Sequence, residues 1–126
     1  MEPQAPPVTM LVIDDELRIC DFLKGFFTIK GYQVFSSTSG EEALMQAPTL
    51  RPQIVLLDIR MPGISGLDTL SKLKVLLPDT KVIMVTALDD DALIAEAKSR
   101  GAADYITKPF NFDHLEGAMR KLGSPG

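Results

Sequence analysis

The sequence of 126 residues is poor in cysteine and in basic runs, and each shortage removes a class of protein. The single cysteine, Cys20, cannot form an internal disulfide and is expected to be a small buried residue rather than a reactive thiol. Residues 1–7 have neither the charged start nor the apolar stretch of a secretion signal, so a reducing cytoplasm is the expected compartment. The net charge of -4 does not favour attraction to nucleic acid or to an anionic membrane. Neither is expected as a direct partner.

The composition and the order of apolar segments predict one α/β domain. Hydrophobic residues make up 45% of the chain and charged residues 24%, which excludes disordered, collagen-like and membrane-spanning classes. Short apolar runs alternate with longer amphipathic stretches, a pattern typical of βαβ units. Right-handed crossovers then predict a three-layer sandwich with helices on both faces of a parallel sheet. Strands are predicted over residues 8–13, 32–36, 53–57, 81–85 and 104–107, several of them apolar throughout, as strands buried on both faces are.

The expected domain spans residues 8–122. Residues 1–7 are predicted to form a flexible N-terminal tail, and residues 123–126 to form a frayed C-terminus or the start of a linker. Both a stand-alone domain and a domain within a longer protein fit this sequence.

Capping and helix-breaking residues predict where helices begin and end. Ser39 followed by Glu42 is typical of a capping box at the start of the second helix, and Pro48 is expected to end that helix. Asn111 is expected to cap a fifth helix over residues 112–122.

Polar side chains follow the carboxyl ends of four predicted strands. Asp14 and Asp15 follow the first strand, Asp58 the third, Thr86 the fourth and Lys108 the fifth. Because ligands bind outside the carboxyl ends of the strands in such a sheet, we expect these side chains to form one cluster. Three crowded carboxylates repel one another and one lysine does not compensate, so a divalent cation is expected. The candidate ligands are oxygens, which favours Mg²⁺ over zinc, with Mn²⁺ as a substitute.

The same cluster contains the groups that phosphoryl transfer requires. These are an in-line nucleophile, a metal, a cation and a hydroxyl donor. Asp58 is the best nucleophile because a carboxylate accepts a phosphoryl group directly, whereas the adjacent Asp14 and Asp15 are better placed as metal ligands.

Taken together, these motifs resemble the receiver domain of response regulators in two-component signalling, over essentially residues 8–122. The resemblance is carried by the acidic pair after the first strand, Asp58 followed by residues 61–66 (MPGISG), Thr86 with Ala87, and residues 105–110 (YITKPF). It implies a flavodoxin-like (βα)5 fold with strand order 2-1-3-4-5. It also implies that Asp58 takes a phosphoryl group from a sensor histidine kinase or a histidine phosphotransfer protein. Such a chain is a signalling switch rather than a conventional enzyme, although it catalyses its own aspartyl phosphorylation and dephosphorylation.

The resemblance assigns a metal-binding role to four residues. Asp15, Asp58 and the backbone carbonyl of Arg60 are implied to ligate Mg²⁺, and Asp14 is implied to act mostly through a metal-bound water.

The resemblance also implies a switching mechanism. Thr86 and Lys108 would hold the phosphoryl oxygens, and Tyr105 would reorient on activation. The bond between Lys108 and Pro109 is expected to be cis. Activation would remodel the surface of the fourth helix, fifth strand and fifth helix, where the chain would contact a downstream effector or a second copy of itself.

Four other functions fit the sequence less well. A phosphatase of the haloacid dehalogenase type usually has Asp-x-Asp after the first strand, whereas this chain has Asp14-Asp15-Glu16 and no room for a cap domain. A flavodoxin-like electron carrier needs Ser, Thr and Gly donors for the flavin phosphate at that position. A dinucleotide site needs a glycine fingerprint that is missing. A pseudo-receiver, which only binds partners, ranks low because every position needed for phosphorylation is present.

Overall fold

The computed structural model describes residues 7–122, in which strands and helices alternate. The strands are β1 (Thr9–Ile13), β2 (Gln33–Ser37), β3 (Ile54–Leu57), β4 (Lys81–Thr86) and β5 (Asp104–Thr107). The helices are α1 (Leu17–Ile29), α2 (Gly40–Leu50), α3 (Gly66–Leu76), α4 (Asp91–Ser99) and α5 (Phe112–Lys121). The predicted tail over residues 1–7 lies, apart from Pro7, outside the described residues, and the predicted end over 123–126 lies wholly outside them. Between residues 7 and 122, no helix combines the length and apolar character needed to cross a bilayer.

The five strands form one parallel sheet in the order β2-β1-β3-β4-β5. This confirms the predicted strand order and the α/β class. In the sheet register, Ile13 pairs with Leu57 and Leu57 pairs with Met84. The carboxyl ends of β1, β3 and β4 therefore lie side by side at one edge of the sheet.

Alternate residues of each strand face opposite sides of the sheet and build two separate cores. Leu11, Ile13 and Val55 pack with buried residues of α2, α3 and α4. Met10 and Val12 face the other side and pack with α1 and α5. Each of these side chains is at most 1% exposed, and burying one contributes roughly 1.5–3 kcal/mol. The helices thus cover both faces, which confirms the predicted three layers.

The prediction that Pro48 ends the second helix is wrong. The helix α2 continues through Pro48 to Leu50, and Arg51 follows in the left-handed conformation with φ 47°. Proline in a helix interior removes one backbone hydrogen bond and its ring clashes with the carbonyl four residues earlier, at a cost of about 3 kcal/mol. Ala47 is fully buried and Leu50 packs against the core, so burial of apolar surface in this last turn offsets the loss.

The predicted helix caps are present. Ser39 Oγ accepts a hydrogen bond from Glu42 N at 3.1 Å, and Glu42 Oε1 accepts one from Thr38 N at 3.0 Å. Asn111 Oδ1 accepts a hydrogen bond from His114 N at 2.7 Å. These contacts satisfy amide donors that helix starts leave unpaired and confirm both predicted N-termini.

Candidate functional site

Two aspartates leave the sheet directly after the paired ends of β1 and β3. Asp58 N donates to the carbonyl oxygen of Ile13 at 3.0 Å, and Asp14 N donates to that of Ser37 at 3.1 Å. These hydrogen bonds extend the sheet ladder by one residue past each strand. The backbone beneath both carboxylates is therefore fixed by the sheet itself.

Asp14, Asp15 and Asp58 come together in one acidic cluster. One carboxylate oxygen from each residue lies within 4.8 Å of the others. Asp14 is 3% exposed and Asp58 is 7% exposed, whereas Asp15 faces solvent. Because the chain turns out of the strand after Ile13, the consecutive Asp14 and Asp15 both reach the same place, as a continuing strand would not allow.

Lys108 joins the two buried aspartates. Its Nζ donates to Asp14 Oδ2 at 2.7 Å and to Asp58 Oδ2 at 3.1 Å. Its backbone N donates to the carbonyl oxygen of Thr86 at 2.8 Å, which fixes the start of the side chain beside β4. The lysine side chain is 15% exposed, so this ion-pair network is only weakly screened by water.

Burial and charge act in opposite directions on these groups. Burial raises the pKa of Asp14, although the hydrogen bond from Lys108 partly opposes that effect. Burial alone would lower the pKa of Lys108, but the hydrogen bond and charge of Asp14, together with the charge of Asp58, prevail and raise it. The ammonium group therefore stays charged, yet its single positive charge does not balance the three carboxylates of the cluster. A cluster of oxygen donors with excess negative charge fits a hard divalent cation such as Mg²⁺.

An open pocket of about 390 Å³ adjoins the cluster and has room for a phosphoryl group beside Asp58. Thr86, the last residue of β4, lies in its wall, and its Oγ1 accepts a hydrogen bond from Leu88 N at 3.3 Å. Within residues 7–122 the Thr86 hydroxyl donates no hydrogen bond, so it is available to a ligand in the pocket. The pocket is lined by Asp15, Glu16, Asp58, Arg60, Thr86, Ala87, Leu88 and Lys108.

Tyr105 lies outside the pocket lining but is connected to Thr86 through the backbone of one residue, Leu88. Its hydroxyl donates to the carbonyl oxygen of Leu88 at 2.5 Å, while the N–H of Leu88 donates to Thr86. Burial, with a contribution from the charge of Asp90, raises the pKa of Tyr105, so its hydroxyl stays protonated as a donor. The sequence reasoning missed the role of Leu88, because every residue carries these backbone groups and no side chain marks them.

The peptide bond between Lys108 and Pro109 is cis.

Gly66, the first residue of α3, packs directly on the backbone beneath the site. A Cβ atom on Gly66 would lie 2.0 Å from the carbonyl oxygen of Asp58 and 2.5 Å from the Cα of Ile59. Gly66 N also donates to the carbonyl oxygen of Ile59 at 2.7 Å. A residue with a side chain would therefore push α3 away from the backbone of Asp58 and Ile59.

Comparison with known proteins points to one family. The family model for the response regulator receiver domain matches residues 10–120. Sporulation initiation phosphotransferase F of Bacillus subtilis is 36% identical over 112 residues, which cover 89% of this chain and 90% of that protein. The chemotaxis protein CheY of Thermotoga maritima is 34% identical over 114 residues, which cover 90% of this chain and 95% of that protein.

A solved structure extends the comparison to three dimensions. The response regulator protein TrrA of Thermotoga maritima, crystallised in complex with Mg²⁺-BeF, superposes with a TM-score of 0.82 at 36% identity. The match covers 91% of this chain and 98% of that one. Strand order, acidic cluster and sequence similarity agree, and the chain belongs to the receiver domain family of two-component response regulators.

Proposed function

We propose that Asp58 is the phosphoacceptor of this receiver domain and that the phosphodonor is a histidine kinase or a histidine phosphotransfer protein. The observation that carries the proposal is the bridge from Lys108 Nζ to Asp58 and Asp14 at the rim of an open pocket. A carboxylate oxygen of Asp58 attacks the phosphorus atom and forms a new O–P bond. The P–N bond of the donor phosphohistidine breaks, and its electron pair stays on the imidazole nitrogen.

Mg²⁺ is the proposed cofactor, with Mn²⁺ as a substitute. Asp15, Asp58 and the backbone carbonyl of Arg60 would hold it directly, and Asp14 through a water molecule. The ion would supply positive charge that offsets the carboxylates and the incoming phosphoryl oxygens. The clustered carboxylate oxygens of this chain and the Mg²⁺-BeF complex of TrrA support this assignment.

The proposed switch uses Thr86 and Lys108 as partners for the new phosphoryl group. Phosphorylation turns a carboxylate of one negative charge into a group with nearly two, with additional acceptor oxygens. Two charge-assisted hydrogen bonds, at roughly 1.5–3 kcal/mol each, supply much of the roughly 5.5 kcal/mol that a full population shift requires. Because Thr86 accepts from the N–H of Leu88 and Tyr105 donates to its carbonyl oxygen, movement of Thr86 toward the phosphoryl group would reach Tyr105.

The surface formed by α4, β5 and α5 is the proposed output of this switch. It would contact a downstream effector or a second copy of the chain. We place this activity in the cytoplasm, where a histidine-containing phosphodonor is accessible, and propose that the chain acts as a switch that catalyses only its own phosphorylation and dephosphorylation.

Intact-protein mass spectrometry after incubation with acetyl phosphate tests the phosphoacceptor. We expect one phosphoryl adduct that requires Mg²⁺, is supported by Mn²⁺, and is absent from Asp58→Asn. Asp113→Asn, an exposed aspartate on α5, is the matched control and should be modified like the wild type. An adduct that persists in Asp58→Asn, or no adduct on the wild type, would refute the proposal. Steady turnover of added phosphomonoesters would instead indicate a haloacid-dehalogenase enzyme.

Hydrogen exchange with and without beryllofluoride and Mg²⁺ tests the switch. We expect exchange rates in α4, β5 and α5 to change in the wild type and to stay constant in Lys108→Ala, a variant that we expect to retain the fold. Equal changes in both proteins would count against the role of Lys108 in coupling. Size-exclusion chromatography of the same samples separates the two outputs, because a shift to dimer indicates self-association and a persistent monomer indicates an effector.

A further inference from the structure

The loop between β3 and α3 carries the Arg60 carbonyl of the proposed metal site, yet it has few backbone anchors. The side chains of Ile59 and Met61 are buried in the core and hold its first part. Among residues 7–122, the backbone of residues 60–64 makes a single hydrogen bond, from Ile64 N to Glu41 Oε2 at 2.9 Å. The position of this loop therefore depends on a side chain from another element.

Glu41 lies in the first turn of α2 and packs closely over the loop. A Cβ atom on Gly63 would lie 2.6 Å from Glu41 Oε2 and 2.9 Å from Oε1, so a side chain here would make the exposed end of Glu41 shift from its present position. Gly63 also has φ of +79°, a conformation that residues with a side chain rarely adopt. Glycine at position 63 thus allows the loop backbone and the Glu41 carboxylate to lie in close contact.

A second close approach brings α2 within reach of the loop. A Cβ atom on Gly40 would lie 2.6 Å from Ile64 Cγ2 and 2.2 Å from Thr69 Oγ1. The absence of a side chain at Gly40 lets the start of α2 contact the loop and α3 directly. This contact places Glu41 at hydrogen-bonding distance from Ile64 N.

We propose that Glu41 is a positioning residue for the metal site, because its hydrogen bond to Ile64 N fixes the loop that presents the Arg60 carbonyl. This inference rests on the proposed Mg²⁺ site. Mutation of a residue that holds a metal ligand in place typically weakens metal binding by about 10-fold or more. Glu41 holds the loop because its side chain is long enough to place an acceptor oxygen at Ile64 N, and this role does not require its negative charge.

Isothermal titration of the metal-free protein with Mg²⁺, without any phosphodonor, tests the inference. We expect Glu41→Ala to bind Mg²⁺ about 10-fold more weakly than the wild type. Glu41→Gln keeps an oxygen of the same reach and should bind like the wild type. Glu41→Asp keeps the charge but is one methylene shorter, so it should bind as weakly as Glu41→Ala, and it replaces that variant should the alanine protein not fold.

Glu42→Ala is the matched control. Glu42 lies in the same helical turn and its carboxylate also accepts one backbone hydrogen bond, from Thr38, but within the described part of the chain it forms no hydrogen bond with residues 60–64. Its loss should lower stability without changing Mg²⁺ affinity. Exchange of the Ile64 amide proton in metal-free protein gives an independent measurement. It should be faster in Glu41→Ala and Glu41→Asp than in Glu42→Ala or the wild type.

The outcomes separate this inference from the function it rests on. A wild type that does not bind Mg²⁺ would overturn the metal site and the inference together. A wild type that binds Mg²⁺ no more tightly than Glu41→Ala would overturn the inference alone. Weak binding by Glu41→Gln with normal binding by Glu41→Asp would assign the effect to charge and refute positioning through the hydrogen bond.

Discussion

Lys108→Met removes the ammonium group that bridges two buried carboxylates and keeps most of the apolar stem. In the wild type this group lies 2.7 Å from Asp14 Oδ2 and 3.1 Å from Asp58 Oδ2. The two aspartate side chains are only 4% and 9% exposed, so water screens their mutual repulsion poorly. Removing one partner of a buried ion pair costs about 3–5 kcal/mol. Because the cluster opens onto a pocket, we expect a loss near the lower end, about 3 kcal/mol, near pH 8 without metal.

The loss of stability caused by Lys108→Met should depend on pH. Burial raises the pKa of Asp14 and the hydrogen bond from Lys108 opposes that effect, so the variant should have an Asp14 pKa that is raised further. A group with a raised folded-state pKa contributes stability that is present below its unfolded pKa and is lost as pH rises through the folded pKa. The variant therefore regains stability as pH falls. Each tenfold decrease in the acid dissociation constant of Asp14 makes the pH-dependent part of the free energy of unfolding larger by about 1.4 kcal/mol.

Urea denaturation followed by circular dichroism measures this effect. We expect the free energy of unfolding lost by Lys108→Met to be smaller near pH 5 than near pH 8 by at least about 1 kcal/mol. Lys74→Met is the control, because Lys74 Nζ donates to the carbonyl oxygens of Pro78 and Thr80 at 2.7 Å and forms no ion pair with a carboxylate of residues 7–122. The free energy of unfolding that Lys74→Met loses should be the same at pH 5 and pH 8. A loss in the free energy of unfolding of Lys108→Met that is independent of pH, or larger near pH 5, would refute the reasoning.

Three further predictions concern packing and reactivity. Gly66→Ala should lower the free energy of unfolding by about 3 kcal/mol or more, measured in urea, because its Cβ would lie 2.0 Å from the carbonyl oxygen of Asp58; an unchanged midpoint would contradict that contact. Gly25→Ala should raise stability by about 0.5–1 kcal/mol, seen as a higher Tm, because this position of α1 has nothing within 4 Å of an added Cβ; a lower Tm would show a contact that the structure lacks. Burial raises the pKa of the Cys20 thiol to about 11 and leaves it 1% exposed, so the native protein should react with a thiol reagent only when it unfolds; rapid modification of the folded protein would refute this.

Much of the fold follows from the sequence, because strands buried on both faces must be apolar at consecutive positions. Residues 54–57 and 82–85 are such runs, and both lie in strands of the structure. The acidic cluster follows from the same pattern, since Asp14 and Asp58 are the first residues after two neighbouring strands. A local pattern and a simple topological rule were sufficient for these features.

Other features depend on contacts between distant residues and have no local signal. Pro48 is a helix breaker by local chemistry, but packing of the last turn of α2 against the core prevails. The contact between Glu41 and Ile64 joins residues that are 23 positions apart and follows no period. Leu88 acts through its backbone N–H and carbonyl groups, which nearly all residues share. In each case the tertiary arrangement, rather than residue type, decides the role.

The position of each strand in the sheet divides the site into a rigid part and an adaptable part. β1, β3 and β4 are each paired on both sides, so the carboxylates after β1 and β3 rest on the most constrained backbone of the domain. β5 is a four-residue edge strand whose sole partner among the described strands is β4, and it carries Tyr105 and leads into Lys108. A shift of these two residues strains one ladder instead of two. The domain can therefore hold the carboxylates of Asp14 and Asp58 still while the edge of the sheet adjusts to the proposed new charge on Asp58.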